Sequence, residues 1–107
     1  MRFTQKNWDK FFDGTNKQTT FRLKKHKIGH HKAYSGSYFN PILLGEFDIV
    51  KVEDKIFEKL NLQDAIDDGF DSVGNLMKEL ESLNKQLIEP RQILYKHWVE
   101  NPKKAIR

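Results

Sequence analysis

Lys17, Thr20 and Arg22 place an amine, a hydroxyl and a guanidinium close together in the run Gly14-Thr-Asn-Lys-Gln-Thr-Thr-Phe-Arg22. Such a set suits a phosphate, a carbonyl or a nucleobase, because cations neutralise charge while a hydroxyl both gives and accepts hydrogen bonds. Asp13 and Gly14 are turn formers that close the aromatic segment before them. From Thr19 onward the residues turn β-branched and aromatic, which predicts a strand from Thr19 to Lys24. Alternate side chains of a strand share a face, so Thr20, Arg22 and Lys24 point one way and Phe21 and Leu23 the other, toward a core. Lys17 then reaches the polar face from the preceding loop.

The elements that must position this set follow from periodicity. Phe3 and Thr4 read as a short strand, and Trp8, Phe11 and Phe12 recur at the spacing of one helical face. A helix over 5–12 with its aromatics turned inward is expected. After the basic strand comes Lys25-His26-Lys27-Ile28-Gly29-His30-His31-Lys32, a solvated loop or strand end. Its three histidines lack a helix to align them and a carboxylate or thiolate to complete a ligand set, so neither metal nor any other cofactor is expected. Ala33-Tyr34 reads as a strand ending at Ser35-Gly36-Ser37, followed by a loop carrying Tyr38 and Phe39. Those two rings either stack on nucleobases or plug one end of a barrel, and both readings stay open.

Residues 42–52 form the longest β-like run; its apolar phase changes at Val50, and Gly45 lies near its start, which predicts a bulged or strongly bent strand. Residues 54–60 read as a turn or short helix. Asn61 caps a helix over 62–68 with Leu62, Ala65 and Ile66 as its apolar face, and Gly69 ends it. A second helix from Asp71 or Ser72 carries Val73, Leu76, Met77, Leu80 and Leu83 as a core stripe. Glu89-Pro90 breaks the chain before a last strand over 92–99. One α+β domain over 1–101, a small and mostly antiparallel β-barrel flanked by short helices, is expected. Residues 102–107 would be a frayed basic tail.

Composition narrows the function classes. With no cysteine among the 107 residues there is no disulfide, thiolate zinc site or cysteine nucleophile. No apolar run approaches the roughly 20 residues of a membrane span, and residues 1–8 show no signal-like apolar region, so a cytoplasmic monomer is expected. The net charge is +4, but residues 1–51 hold ten Lys/Arg against four Asp/Glu, while residues 52–107 hold nine against eleven. A polyanion such as RNA or single-stranded nucleic acid suits the basic half; a surface that only confers solubility is the competing reading.

The Lys17-x-x-Thr20-x-Arg22 set after Gly14 resembles the ASCH family of the PUA-like superfamily. Asp68-Gly69-Phe70 before a helix is similar to that family's second motif, and Gly45 sits where its barrel-crossing strand opens. Here the Gly14 to Lys17 spacing is one residue longer, and Asp68 stands where the family uses Glu. The resemblance implies an RNA-binding module that holds a backbone on Lys17, Arg22, Lys24, Lys25 and Lys27, stacks bases on Tyr38 and Phe39, and takes a nucleoside between Thr20 and Asp68. It also implies an alternative activity, an amidohydrolase that removes the acetyl group of acetylcytidine or a similar modified nucleoside through Lys17, Thr20 and Asp68. Without the resemblance, Lys17 is a surface lysine, Asp68 a helix-end carboxylate and Arg22 half of a salt bridge. A protein-interaction domain using the Tyr38-Phe39 loop is the remaining class.

Overall fold

A computed structural model describes residues 1–106. The elements run α1 (Gln5–Asp9), β1 (Thr19–Arg22), β2 (Gly29–Ser37), β3 (Asn40–Ile56), a 3₁₀ turn (Phe57–Lys59), α2 (Leu62–Asp67), α3 (Val73–Asn84) and β4 (Ile93–Lys104). The four strands form one antiparallel sheet in the order β1-β4-β3-β2, curled into a half-barrel. The N-terminal residues line the outer edge of β2: the Phe3 N–H donates to the Tyr34 carbonyl and the Tyr34 N–H to the Met1 carbonyl. Arg22, on the opposite edge strand, lays its guanidinium over the Phe3 ring at 4.7 Å. The two edges of the sheet therefore meet through side chains rather than through a closed ladder.

Curvature comes from bulges. Ile49 pairs with Val99 but Lys51 with Trp98, so Val50 is the extra residue at the position where the apolar phase changes. A second irregularity falls between Ala33 and Tyr34, opposite Gly45 and Leu43. Two cores flank the sheet. Phe21, Phe57, Leu60, Leu76, Leu80 and Leu94 pack α2 and α3 against it, while Phe3, Trp8, Leu44, Phe47, Ile49 and Val99 fill the other side beneath α1. Trp8 is fully buried and Phe11 and Phe12 pack partly buried against it, so the aromatic stripe is core.

Several boundaries differ from expectation. α1 starts at Gln5, as expected, behind the Thr4 cap, but stops at Asp9, where the chain turns through residues 10–13. β1 ends at Arg22, so Lys24 leaves the strand. β2 starts at Gly29, and only Tyr38 and Phe39 form the hairpin turn, Asn40 and Pro41 being already in β3. Residues 54–56 continue β3 instead of turning. The residues expected to fray are strand through Lys104, with Lys103 opposite Glu46 and Lys104 opposite Gly45. Asn101 and Pro102 sit in the bulge opposite Phe47, where the missing proline N–H breaks no ladder bond. Arg107 lies outside the described residues. Among the described residues no helix is long and apolar enough to cross a membrane.

Candidate functional site

The loop from Gly14 to Gln18 threads Lys17 inward. Gly14 and Asn16 both adopt left-handed conformations, and the Gln18 N–H donates to the Asp67 carbonyl at 2.7 Å, which ties the loop to the end of α2. Gly69 follows Asp68 in the left-handed region, and a Cβ there would stand 3.2–3.3 Å from Lys10, Thr15 and Lys17. The close approach of loop and helix end is thus built on that glycine.

Lys17 Nζ lies 3.0 Å from Asp68 Oδ1 and donates to the Asp68 carbonyl at 3.1 Å. Their side chains are only 3% and 6% exposed, which removes the surface-lysine reading. Asp68 Oδ1 also accepts from the Thr19 hydroxyl at 3.0 Å. Burial pulls the Lys17 amine down and pushes the Asp68 carboxyl up, while each partner opposes the change in the other. The attraction between the two charges and their shared hydrogen bond thus work against the burial that disfavours both charged forms.

Thr20 and Arg22 do share a face, as strand alternation predicts. Arg22 Nε donates to Thr20 Oγ1 at 3.2 Å. Among the described residues the Arg22 side chain makes no salt bridge and no other hydrogen bond, so the ion-pair reading of this residue is set aside. Burial lowers its guanidinium to about 10, with Asp68 opposing, which leaves it a full cation at neutral pH.

Lys17, Thr20, Arg22 and Asp68 line one cavity of about 540 Å³, walled also by Asn7 and by Leu80 of α3. Gly69 and Phe70, which share a motif with Asp68, line a separate groove instead; Lys10 covers the Phe70 ring at 3.7 Å and donates to the Gly69 carbonyl. Lys24, Lys25 and Lys27 are exposed on the loop after β1 and stay off the cavity. Tyr38 and Phe39 are 78% and 92% exposed at the hairpin tip, which excludes a barrel plug. Arg2 connects tip and cavity: it lines the cavity, donates to the Gly36 carbonyl, and lies 5.5 Å from the Tyr38 ring. Sequence reasoning missed Arg2, which belongs to no motif.

It also missed the charged face of α2. Leu62 and Ile66 are about half exposed, and Asp64, Asp67 and Asp68 turn inward instead. The reason lies in β4, where buried Lys96 donates to Asp64 Oδ1 and Asp67 Oδ2, both at 2.8 Å. Burial works against the Lys96 cation, but the two carboxylates outweigh it and raise its pKa. The capping box of Asn61 with Asp64 fixes the helix start that aims these carboxylates.

The histidines take separate partners. His30 pairs with Asp48 and Glu46, His31 stacks on Phe47, and His26 leans edge-on to His97. Among the described residues no three His, Asp or Glu side chains converge to hold a metal ion. His97, opposite Thr20 in the β1–β4 pair, is fully buried; its Nδ1–H donates to the Thr20 carbonyl and its Nε2 accepts from the His26 N–H. Burial, against the Thr20 hydrogen bond, lowers it to about 4. A folded pKa below the unfolded ~6.5 gives stability that is full above pH 6.5 and is lost as pH falls toward 4. The His97 contribution to urea unfolding should be about 2 kcal/mol smaller at pH 5.0 than at pH 7.5. The His97→Gln variant should lack most of that difference; equal pH dependence in both proteins would remove His97 as its source.

The site lies at the open edge of a small α+β half-barrel. Comparison with solved structures finds this fold in protein EF3133 from Enterococcus faecalis V583, described as a DUF984 protein, with a TM-score of 0.60 and 15% sequence identity. The match covers 89% of this chain and 66% of that one, and at such identity the likeness concerns the fold alone. No family model and no curated protein matches the chain.

Proposed function

We propose that this chain is a nucleic-acid-binding module of ASCH type, within the PUA-like superfamily, with a nucleoside-sized pocket. One observation carries the reading: Lys17, Thr20, Arg22 and Asp68 come from two distant segments of the chain and line the same cavity. Its volume of about 540 Å³ falls in the roughly 300–1,000 Å³ range of small-molecule sites. In this reading exposed Lys24, Lys25 and Lys27 take the RNA backbone, and the exposed Tyr38 and Phe39 rings offer stacking faces. Binding to a labelled single-stranded RNA should weaken steeply with salt, with a log–log slope near −0.7 per phosphate contact. Replacing Lys24, Lys25 and Lys27 together by Gln should flatten that slope; salt-insensitive binding, or none, would contradict the reading.

The buried Lys17–Asp68 pair favours a second reading, amidohydrolysis of an acylated nucleoside such as acetylcytidine. An amine pulled down and a carboxyl pushed up are poised to exchange a proton with a nucleophile and a leaving amine. Against it, the hydroxyl bonded to Asp68 belongs to Thr19 rather than Thr20. Cytidine release from acetylcytidine decides the matter. Turnover that survives in the pair-less Lys17→Met/Asp68→Leu variant would exclude this mechanism.

A further inference from the structure

We infer that the cavity takes a phosphorylated nucleoside in preference to a neutral one, with Arg22 as the phosphate anchor and Asn7 as the amide that meets the base. The inference rests on the pocket reading above and adds the ligand's class.

Two groups on the cavity wall keep hydrogen-bonding capacity that the described residues leave unused. Arg22 uses only Nε in hydrogen bonding to the protein; its guanidinium lies over the Phe3 ring, and the fork of its terminal nitrogens, the part that matches a phosphate, pairs with no carboxylate among the described residues. Asn7 is 6% exposed, and its backbone N–H is used by the Thr4 cap, but its buried side-chain carbonyl has no hydrogen-bond partner. A buried polar atom left so is costly, by roughly 1–3 kcal/mol, and native proteins keep few of them. A half-turn of the carboxamide exchanges its acceptor and donor ends, so Asn7 can meet either kind of base edge.

The charge balance points the same way. Arg2, Lys17, Arg22 and Lys85 line the cavity against Asp68 and Glu79. Lys17 and Asp68 compensate each other at 3.0 Å, which leaves three cations facing one carboxylate. A neutral nucleoside satisfies Asn7 and leaves this excess of positive charge unmatched. A nucleoside monophosphate, free or as the phosphorylated end of an RNA strand, satisfies both.

Calorimetric titration of the full chain with nucleoside 5′-monophosphates, the matching nucleosides and inorganic phosphate tests this. A short RNA with and without a 5′-phosphate separates the free from the strand-end source. The monophosphates should bind at least about tenfold tighter than the nucleosides and than inorganic phosphate, as expected of a charge-assisted bond. Arg22→Gln should bring the nucleotide-to-nucleoside ratio to about one, and Asn7→Leu should weaken both ligands while keeping the ratio. Should Arg22→Gln fail to fold, Arg22→Lys, which keeps the charge but loses the fork, should cut the ratio several-fold. Equal binding of nucleosides and nucleotides overturns the inference and leaves the pocket reading intact, whereas binding of neither overturns both. A ratio that survives in the folded Arg22 variant, or inorganic phosphate binding as tightly as the nucleotides, also overturns it.

Discussion

Asp68→Ala should cost about 3–5 kcal/mol of stability, while the double change Lys17→Met/Asp68→Leu should cost markedly less. The single variant strands the Lys17 amine, 3% exposed, with only the backbone carbonyl of residue 68 as an acceptor. It also deprives the Thr19 hydroxyl of its partner. Desolvating two charges offsets most of what their attraction contributes, so removing both together loses little, whereas removing one leaves an uncompensated buried charge. The comparison is read from urea midpoints at pH 7.5, with equal m-values confirming that the same surface is exposed on unfolding. A loss under 1 kcal/mol for Asp68→Ala would mean that Lys17 can reach solvent, and the cavity wall described above would be wrong.

Gly45→Ala should be the most damaging single-methyl insertion in the chain, on the order of 3 kcal/mol, lowering Tm by roughly 10–20 °C. A Cβ at this position would stand 1.9 Å from the Lys103 carbonyl oxygen and 2.8 Å from Trp8 Cζ2. The carbonyl belongs to the paired backbone of β4, so relief requires β3 and β4 to separate where the sheet bends. Gly14→Ala is the control. Nothing lies within 4 Å of a Cβ there, so only its left-handed backbone is penalised, by about 1 kcal/mol. Similar Tm losses in the two variants would contradict the tight crossing at Gly45.

The parts of this fold legible in the sequence are those where local chemistry and packing agree. The Leu76 and Leu80 positions of α3, the Asn61 cap, the Gly69 stop and the phase change at Val50 each follow from spacing or backbone preference alone. The convergence of Lys17 and Asp68 on one cavity is legible only from two short motifs read together, since neither segment marks the other by periodicity, and their direct pairing has no signal in the sequence. α2 was misread because Leu62, Ala65 and Ile66 fall at helical spacing, while the buried cation that draws Asp64 and Asp67 inward is Lys96, far along the chain. The strand through Lys104 was hidden by Asn101-Pro102, which signals an end unless a bulge absorbs it. Asn7 carries no local signal either, because whether its side-chain carbonyl finds a partner depends on what the fold places around it.

The central claim, that the cavity behind β1 is the binding site, is tested most directly by mapping backbone amide resonances during titration with a short single-stranded RNA. The account predicts the largest shift changes at residues 17–22, at Asn7 and at Asp68, all of which border the cavity or its loop. Smaller changes are expected through residues 23–28 and at Tyr38 and Phe39. Changes confined to exposed lysines elsewhere, with residues 17–22 and Asp68 unmoved at saturation, would contradict it.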